Sequence, residues 1–262
     1  MIIGWSMAAT VDVLSRPSSP CWQMSGGWLC DFGRVHIPAP SGRATPYRAG
    51  GLMDGCAPGQ CVARRLHLGG VVLAAGAGSR LGFRPKGLIS VKGEPLLRRH
   101  LRLLAEAGVD ELVVVLGHYS EQLMPLLEGC DATPVIQSGE GHSQAESLRL
   151  GVSALSTDID AALIVPVDMP ALEASDLIAL IGAFKHAEAG IEFVGPMVNG
   201  QPGNPVLLSR SITDQVLRGE GDLGSGRWRH RQSPWAFDWM TDNTRYLMDI
   251  DTPLHLKCWE DE

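Results

Sequence analysis

A short apolar run that passes directly into a glycine-rich loop constrains the fold of this chain more than any other feature. Residues 70–74 read GVVLA, and the loop extends the segment to LAAGAGSRLGFRPKG, residues 73–87. An apolar run bounded by glycines is typical of a strand buried on both faces of a sheet. Glycines directly after such a strand let backbone N–H groups converge on an anion. The segment therefore predicts a strand followed by an anion-binding loop.

Apolar runs and helical patterns alternate along the rest of the chain, with short connections between them. Helical spacing of apolar residues predicts a helix within 94–110, with Pro95 in its first turn and a stop at Gly108, and further helices over 120–129, 143–155 and 173–187. A last helix is expected after Thr252, its cap. Short apolar runs predict strands over 111–117, 133–138, 161–167 and 204–209, and a late strand over 244–250. This alternation is typical of an α/β layer fold with a mostly parallel sheet and right-handed crossovers.

The predicted sheet also indicates where a ligand would bind. In an open parallel sheet the ligand lies beyond the carboxyl ends of the strands. Three segments are expected to meet there: the loop after Ala75, the loop after Val167, and the segment from Asp249 to Asp251.

The first 68 residues differ from the rest in composition. They contain no Lys and no Glu, but six Arg and three Asp, and they are rich in Gly, Pro and Ser. No sustained periodicity runs through them, which favours an extension without a fold of its own. Their four cysteines fit no common zinc-binding spacing. We therefore expect a disordered extension over residues 1–68, or an upstream stretch read from a wrong start, and a globular domain over residues 69–262.

Composition limits the partners that the chain can have. The formal net charge of −7 argues against nucleic acid as the main partner. No apolar run approaches the roughly 20 residues that a membrane-spanning helix needs. The N-terminus lacks the basic start of a secretory signal. These features predict a cytoplasmic protein that binds neither nucleic acid nor a membrane.

The glycine spacing excludes one well-known phosphate loop and disfavours a second. The P-loop pattern G-x-x-x-x-G-K-[ST] fails because Gly78 to Gly82 is one residue short and Phe83 stands at the lysine position. The dinucleotide pattern G-x-G-x-x-G is disfavoured because its third glycine comes one residue late and the expected acidic residue about 20 positions on is missing. The loop also carries three cations, Arg80, Arg84 and Lys86. So much positive charge favours a triphosphate over the pyrophosphate of a dinucleotide.

The same segment resembles the L-A-A-G-x-G-x-R-x-G-x-x-x-P-K opening of the GT-A-like nucleotidyltransferases, including the trailing GEPLL. Six further segments follow in family order: VVVLGH (113–118), SQAESLRLGV (143–152), LIVPVDMPAL (163–172), GNPVLLSR (203–210), GDLGSGR (221–227) and MDIDTPLHL (248–256). Together they look most like the MobA/MocA-type branch and, within it, the molybdopterin cytidylyltransferases. The resemblance covers residues 69 to about 258 and implies a three-layer, Rossmann-like GT-A fold.

The resemblance implies transfer of a nucleoside monophosphate from an NTP to a phosphorylated acceptor, with release of pyrophosphate. Negative charge grows on the leaving group, so cations placed there stabilise the transition state more than the ground state. Arg80 and Lys86 are the candidates for this role, together with the loop amides from Ala75 to Gly78, whereas Arg84 is more typical of a solvated loop arginine. No nucleophilic side chain or general base is needed, because the attacking phosphate is already ionised.

The implied reaction also needs a divalent ion, Mg²⁺ with Mn²⁺ as the alternative. Asp168 follows the apolar run ALIVPV and matches a metal-binding aspartate of the family, so we expect it over the cleft. The alternative is a cap for the turn that follows. Asp249 and Asp251 are candidates for the second ligand. We expect one of them to face the metal and the other to cap the helix that begins at Thr252.

The resemblance places the nucleotide along two segments, and nine residues form the expected nucleotide set: Leu73, Ala74, Ala75, Gly76, Gly78, Arg80, Lys86, Gln144 and Ser147. The guanylyl branch has glycine where this chain has Ala75, and a methyl group there leaves less room for a purine. This favours CTP. The segment around Asn204, GNP, departs from the G-H-P of the cytidylyl branch, and VDMP is closer to the guanylyl branch. The acceptor contact at Asn204 and the choice between CTP and GTP therefore stay open.

The acceptor implied by the resemblance is the molybdopterin cofactor, and a molybdenum hydroxylase would then receive the product. Enzymatic alternatives are a sugar- or alditol-phosphate nucleotidylyltransferase and a GTP-using molybdopterin guanylyltransferase. Alternatives of another class are a non-catalytic protein that binds or chaperones the cofactor, and an NAD(P)-dependent oxidoreductase whose Rossmann loop departs from the usual spacing.

Overall fold

A computed structural model of the chain describes residues 65–138, 143–219 and 234–260. Of the predicted extension, only residues 65–68 are described. The segment GDLGSGR, residues 221–227, also lies outside the described residues. The described strands are β1 (Leu68–Ala74), β2 (Ser90–Val91), β3 (Glu94–Pro95), β4 (Glu111–Leu116), β5 (Thr133–Ile136), β6 (Ala161–Pro166), β7 (Phe193–Val198), β8 (Gln201–Pro202), β9 (Val206–Ser209) and β10 (Ala236–Met240). The described helices are α1 (Leu96–Glu106), α2 (Ser120–Leu123), α3 (Gln144–Ser153), α4 (Ala174–Lys185), α5 (Arg210–Leu217) and α6 (Pro253–Glu260).

The central sheet has the strand order β10-β7-β9-β6-β1-β4-β5, with β8 paired to β7. β1 is parallel to both β4 and β6, β4 is parallel to β5, and β10 is parallel to β7. Only β9 and β8 run antiparallel to their neighbours among the strands of this sheet. The predicted α/β fold with a mostly parallel sheet is confirmed. Because Leu73 is in register with Pro166, the loops that follow β1 and β6 leave the sheet side by side.

Side chains of successive strand residues separate the core into two layers. Val72 of β1 belongs to one buried cluster, with Leu101 of α1 and Leu177 of α4. Val71, its neighbour in sequence, belongs to the other, with Val152 of α3. Successive strand residues point to opposite faces, so an uninterrupted apolar strand must be covered by helices on both sides. The sheet is therefore the middle of three layers, with α1 and α4 on one face and α3 and α5 on the other.

The late strand predicted over 244–250 is wrong. Thr244–Leu247 forms a 3-10 turn, and the strand of this region is β10, which pairs with β7. The Asn243 side chain accepts a hydrogen bond from the N–H of Arg245, which caps the turn. The Arg245 guanidinium then binds the buried carboxylate of Asp176 through two nitrogens, at 2.6 and 2.9 Å. This ion pair anchors the turn to α4.

A third, smaller buried cluster joins the glycine loop to the C-terminal segment. Leu81 of the loop packs with Ile250 and with Leu256 of α6. The contact brings the loop after β1 beside residues 249–251, although about 170 residues separate them in sequence. Among the described residues, the helices are all too short or too polar to cross a bilayer.

Candidate active site

The glycine loop turns sharply at Gly78, which has left-handed backbone angles. A β-carbon at this position would lie 2.3 Å from the carbonyl oxygen of Arg84, so only glycine lets the two arms of the loop approach so closely. The Gly78 carbonyl accepts hydrogen bonds from the N–H groups of Leu81 and Phe83. The N–H groups of residues 76–78 donate to no acceptor among the described residues. These amides are available to an anion in the cleft.

Lys86 connects the loop to both carboxylates of the site. Its Nζ lies 2.6 Å from Asp168 Oδ2 and 2.7 Å from Asp251 Oδ1. Arg80 extends the cluster, with its guanidinium 2.9 Å from Asp251 Oδ2, but its side chain is far more exposed. Burial acts to lower the pKa of Lys86, yet the charges and hydrogen bonds of Asp168 and Asp251 outweigh it and raise the pKa above its ordinary value. Lys86 is therefore a fixed positive charge in the cleft at neutral pH.

The two acidic segments are joined directly through the backbone. The N–H of Ile250 donates to the carbonyl of Asp168 at 2.8 Å. Burial acts to raise the pKa of Asp251, but the hydrogen bond and charge of Lys86 and the charge of Arg80 lower it overall. Burial, with the nearby carboxylates of Asp251 and Asp168, raises the pKa of Asp249. Three carboxylates thus lie close together at the carboxyl end of β6.

The expected division of roles between Asp249 and Asp251 is wrong on one point. The helix α6 is capped by Thr252, whose Oγ1 accepts the N–H of His255, and not by either aspartate side chain. Residues two apart in an extended segment point to the same side, while the residue between them points away. Ile250 is that residue, and it is buried in the cluster with Leu81. Both carboxylates can therefore approach the charged site.

One cleft, of about 350 Å³, gathers most of the predicted site residues. Its lining includes the whole predicted nucleotide set together with Asp168 and Asp251: Leu73, Ala74, Ala75, Gly76, Gly78, Arg80, Lys86, Gln144, Ser147, Asp168 and Asp251. Asp249 and Asn204 are not in this lining. The backbone of Asn204 is instead held by the carbonyl of Tyr246 at 2.9 Å, which leaves its proposed acceptor contact outside this cleft.

One residue that lines the cleft and one that contacts its lining were not predicted from the sequence. Tyr119, which follows β4, lines the cleft and donates its hydroxyl to carbonyl groups of the glycine loop. Gln137, which follows β5, is buried and accepts a hydrogen bond from Ser147 Oγ at 2.6 Å. Its amide nitrogen lies 3.1 Å from Glu146 Oε2. A glutamine directly after a short apolar run was the available signal for Gln137, whereas nothing in the sequence indicates the contacts of Tyr119.

A second group of side chains with metal-ligand chemistry lies at the amino ends of the strands. His67, Glu111 and Asp158 each offer one ligand atom, and these atoms lie within 4.8 Å of one another. The imidazole Nε2 is 3.5 Å from Glu111, whereas its Nδ1 is 3.8 Å from Asp158. The three side chains therefore have the spacing of a possible cation site. This group is remote from the cleft, which lies at the carboxyl ends.

A family model described as the MobA-like NTP transferase domain matches residues 70–235. The match covers the glycine loop, Asp168 and seven of the eight strands of the central sheet, in whole or nearly so. The chain belongs to this family.

Curated relatives match shorter segments. The bifunctional protein GlmU of Pelotomaculum thermopropionicum is 31% identical over 150 residues, which are 57% of this chain and 32% of the relative. The bifunctional IPC transferase and DIPP synthase of Thermococcus kodakarensis is 42% identical over 80 residues, or 28% of this chain and 18% of the relative. The chain thus spans about a third or less of the length of these relatives.

Solved structures share the fold over most of the described chain. Rv0371c from Mycobacterium tuberculosis H37Rv superimposes with a TM-score of 0.64 at 23% identity, over 75% of this chain and 99% of that one. Another structure of the same protein, a complex with manganese, gives a TM-score of 0.60 at 22% identity, over 76% of this chain and 100% of that one. These superpositions confirm the predicted Rossmann-like α/β fold, and the family match shows that it is the fold of an NTP transferase domain.

Proposed function

We propose that this protein is a nucleotidyltransferase that moves a nucleoside monophosphate from an NTP to a phosphorylated acceptor. A phosphate oxygen of the acceptor forms a bond to the α-phosphorus, the bond from that phosphorus to the bridging oxygen of the β-phosphate breaks, and pyrophosphate leaves with the electron pair. The observation that carries the proposal is the contact of Lys86 with both Asp168 and Asp251 beside a glycine loop with open amides. Membership of the NTP transferase family supports the same reaction.

The chain's own residues supply binding and charge rather than proton transfer. The amides of residues 76–78 and the ammonium group of Lys86 would contact the triphosphate, and Arg80 would approach it from the exposed side. These N–H donors and cations are already in place where negative charge develops on the departing pyrophosphate. Little reorganisation is therefore needed during the reaction. No general base is assigned, because the attacking phosphate is ionised at neutral pH.

The carboxylates of the site fit a divalent cation. Asp168 and Asp251 present oxygens to one point, now contacted by Lys86, and Asp249 lies close to both. Oxygen ligands of this kind suit Mg²⁺, with Mn²⁺ as the alternative, and such ions usually share their coordination with substrate phosphates. When bound, the ion would neutralise charge on the phosphates.

For the substrates we propose CTP and, as acceptor, the molybdopterin cofactor, whose product would pass to a molybdenum hydroxylase. The methyl group of Ala75 supports CTP, because Ala75 is buried in the cleft wall and narrows the space for a purine. Gln144 and Ser147 line the same cleft and would frame the base. The acceptor rests on the sequence resemblance alone, and sugar or alditol phosphates are the alternative acceptors.

A panel of nucleotides and acceptors tests the proposal. The purified full-length protein is incubated with each NTP, Mg²⁺ or Mn²⁺, and molybdopterin cofactor or a sugar or alditol phosphate, and pyrophosphate release is measured. We expect release with CTP above the other nucleotides. Lys86→Met and Asp168→Asn should each lower the rate by roughly 10²- to 10³-fold, the usual effect of removing a group that stabilises transition-state charge.

Arg80→Met is the matched control, since it removes a cation whose side chain is mostly exposed, and it should cost less than Lys86→Met. Equal turnover in Lys86→Met and wild type would refute the role of Lys86. Nucleotide binding without pyrophosphate release, for every acceptor, would favour a non-catalytic cofactor-binding protein. Oxidation of reduced nicotinamide would favour the oxidoreductase alternative.

A further inference from the structure

The hydroxyl of Tyr119 joins the two arms of the glycine loop. Tyr119 lies between β4 and α2, and its Oη is 3.1 Å from the carbonyl oxygen of Ala77 and 2.5 Å from that of Phe83. Ala77 belongs to the arm that leaves β1, and Phe83 belongs to the arm that returns toward Lys86. A phenol carries one hydrogen, so it donates to one carbonyl at a time while it stays within reach of both. The side chain thus spans the mouth of the loop.

The loop needs such a contact because its backbone is strained where the second arm begins. Phe83 has a φ of +61°, in the left-handed region that residues other than glycine rarely adopt. Its side chain is 64% exposed, so packing contributes little to holding that conformation. Strain of this kind persists only where surrounding contacts enforce it. Two contacts do so here, the hydrogen bond from the Phe83 N–H to the Gly78 carbonyl and the one from Tyr119 to the Phe83 carbonyl.

The contact at Ala77 also fixes the direction of an amide in the anion-binding segment. The carbonyl and N–H of one trans peptide point in opposite directions. When the Ala77 carbonyl is held by Tyr119, the N–H of Gly78 is held on the other side of the same peptide. If this peptide rotated by half a turn, the Ala77 carbonyl oxygen would take the place of the Gly78 N–H. It would then repel a bound anion. The tyrosine hydroxyl opposes that rotation.

We propose that Tyr119 is a positioning residue that holds the glycine loop in its polyphosphate-binding conformation before the substrate arrives. The proposal rests on the proposed function, since it assumes that the loop binds the triphosphate of an NTP. Loss of the hydroxyl should weaken polyphosphate binding, because part of the binding free energy must then be spent on ordering the loop. The aromatic ring contacts the same cleft, and its own contribution is kept when only the hydroxyl is removed.

The test compares Tyr119→Phe with Tyr246→Phe. Both changes delete one phenolic oxygen, but Tyr246 is buried, does not line the cleft and donates to the Asp176 carbonyl at 2.8 Å. Binding of magnesium tripolyphosphate, which lacks a base, is measured by calorimetry on the full-length protein, together with that of a non-hydrolysable CTP analogue. We expect a three- to tenfold increase in Kd for both ligands in Tyr119→Phe, the effect of about one hydrogen bond. Tyr246→Phe should bind both as the wild type does.

Amide hydrogen exchange gives a second measure of the same loop. Exchange over residues 76–84 should be faster in Tyr119→Phe than in wild type, and tripolyphosphate should reduce the difference. Phe83→Asn added to Tyr119→Phe should restore part of the affinity, because asparagine adopts left-handed angles more readily than phenylalanine.

The outcomes separate this proposal from the one it rests on. If the wild type binds neither tripolyphosphate nor the CTP analogue, the proposed function fails and the role of Tyr119 fails with it. If the wild type binds both and Tyr119→Phe binds them equally well, with unchanged exchange in the loop, only the role of Tyr119 is refuted.

Discussion

The ionisable side chains of Lys86 and His100 lie in sharply different environments. Lys86 has two carboxylates within 2.7 Å, so burial does not neutralise it. His100, on α1, is fully buried and has no such partner. Its Nδ1 is 2.6 Å from the Leu96 carbonyl and therefore carries the hydrogen, and its Nε2 meets no donor among the described residues. Burial lowers the pKa of His100, against the smaller opposite effects of the Leu96 carbonyl and of Asp168.

Because the pKa of His100 is lowered in the folded protein, we expect the free energy of unfolding to decrease in mild acid. The unfolded chain binds a proton at His100 near its ordinary pKa of 6.5, whereas the folded protein does so only at lower pH. Stability is therefore complete above about pH 6.5 and falls as the pH decreases from there toward the lowered pKa. His100→Asn keeps a donor for the Leu96 carbonyl and removes the titration, so the decrease should become shallower.

Urea unfolding at several pH values between 5 and 8 measures the effect. At pH 8 the histidine is neutral in both states, so the difference between the two proteins there reports packing alone. An unchanged dependence on pH in His100→Asn would contradict the assignment.

At the scale of elements, the position of α3 depends on one residue without a side chain. A β-carbon on Gly151 would lie 2.3 Å from Val71 Cγ1 in β1 and 2.8 Å from Val115 Cγ2 in β4. The helix can approach the sheet only because this position is glycine. The same helix begins with Gln144 and carries Ser147, both of which line the cleft. A close helix–sheet contact thus sets the position of the proposed base pocket.

Gly151→Ala should therefore destabilise the protein by about 1–3 kcal/mol, the usual cost of overpacking, and should raise the KM for the nucleotide. Adding Val71→Ala makes room for the new methyl group and should restore part of both losses. Chemical unfolding and steady-state kinetics are the measurements.

Gly182→Ala is the matched control, since a β-carbon there meets nothing within 4 Å and lies in the interior of α4. It should stabilise the protein by about 0.5–1 kcal/mol, the helix preference of alanine over glycine. Equal effects of the two alanine substitutions would argue against the packing role of Gly151.

For the whole molecule, the described fold extends slightly beyond the domain boundary proposed from composition. β1 begins at Leu68, and Asp110 accepts hydrogen bonds from the Leu68 N–H at 2.9 Å and from Arg65 at 2.6 Å. The N–H of His67 donates to Asp160 at 2.8 Å. We propose that the catalytic domain begins at Arg65 and does not require the residues before it.

A protein that lacks residues 1–64 should keep the thermal midpoint and the pyrophosphate release of the full chain. Thermal unfolding and the release assay, run side by side on both proteins, check this. A truncated protein that folds but no longer turns over would show that the removed segment contributes to function.

Much of the fold could be predicted because its determinants are local. The buried strands β1, β4 and β6 are short apolar runs, and α1 and α4 repeat apolar residues at helical spacing. The late strand could not be placed. Residues 244–247 form a turn whose Arg245 binds Asp176, which is about 70 positions earlier in the chain. The strand of this region, β10, is a half-exposed edge strand with no clear apolar alternation.

The sequence by itself determined the α/β architecture, the glycine loop and the presence of candidate cations and carboxylates, because strand burial, helical periodicity and glycine spacing act over a few residues. Tertiary structure decided which of these groups meet. Lys86 reaches Asp251 across 165 positions, and Tyr119 reaches the loop across about 40. Such contacts depend on the order of the strands and on the packing of Leu81 with Ile250, which bring distant segments to one edge of the sheet. No local sequence pattern specifies contacts between residues so far apart in the chain.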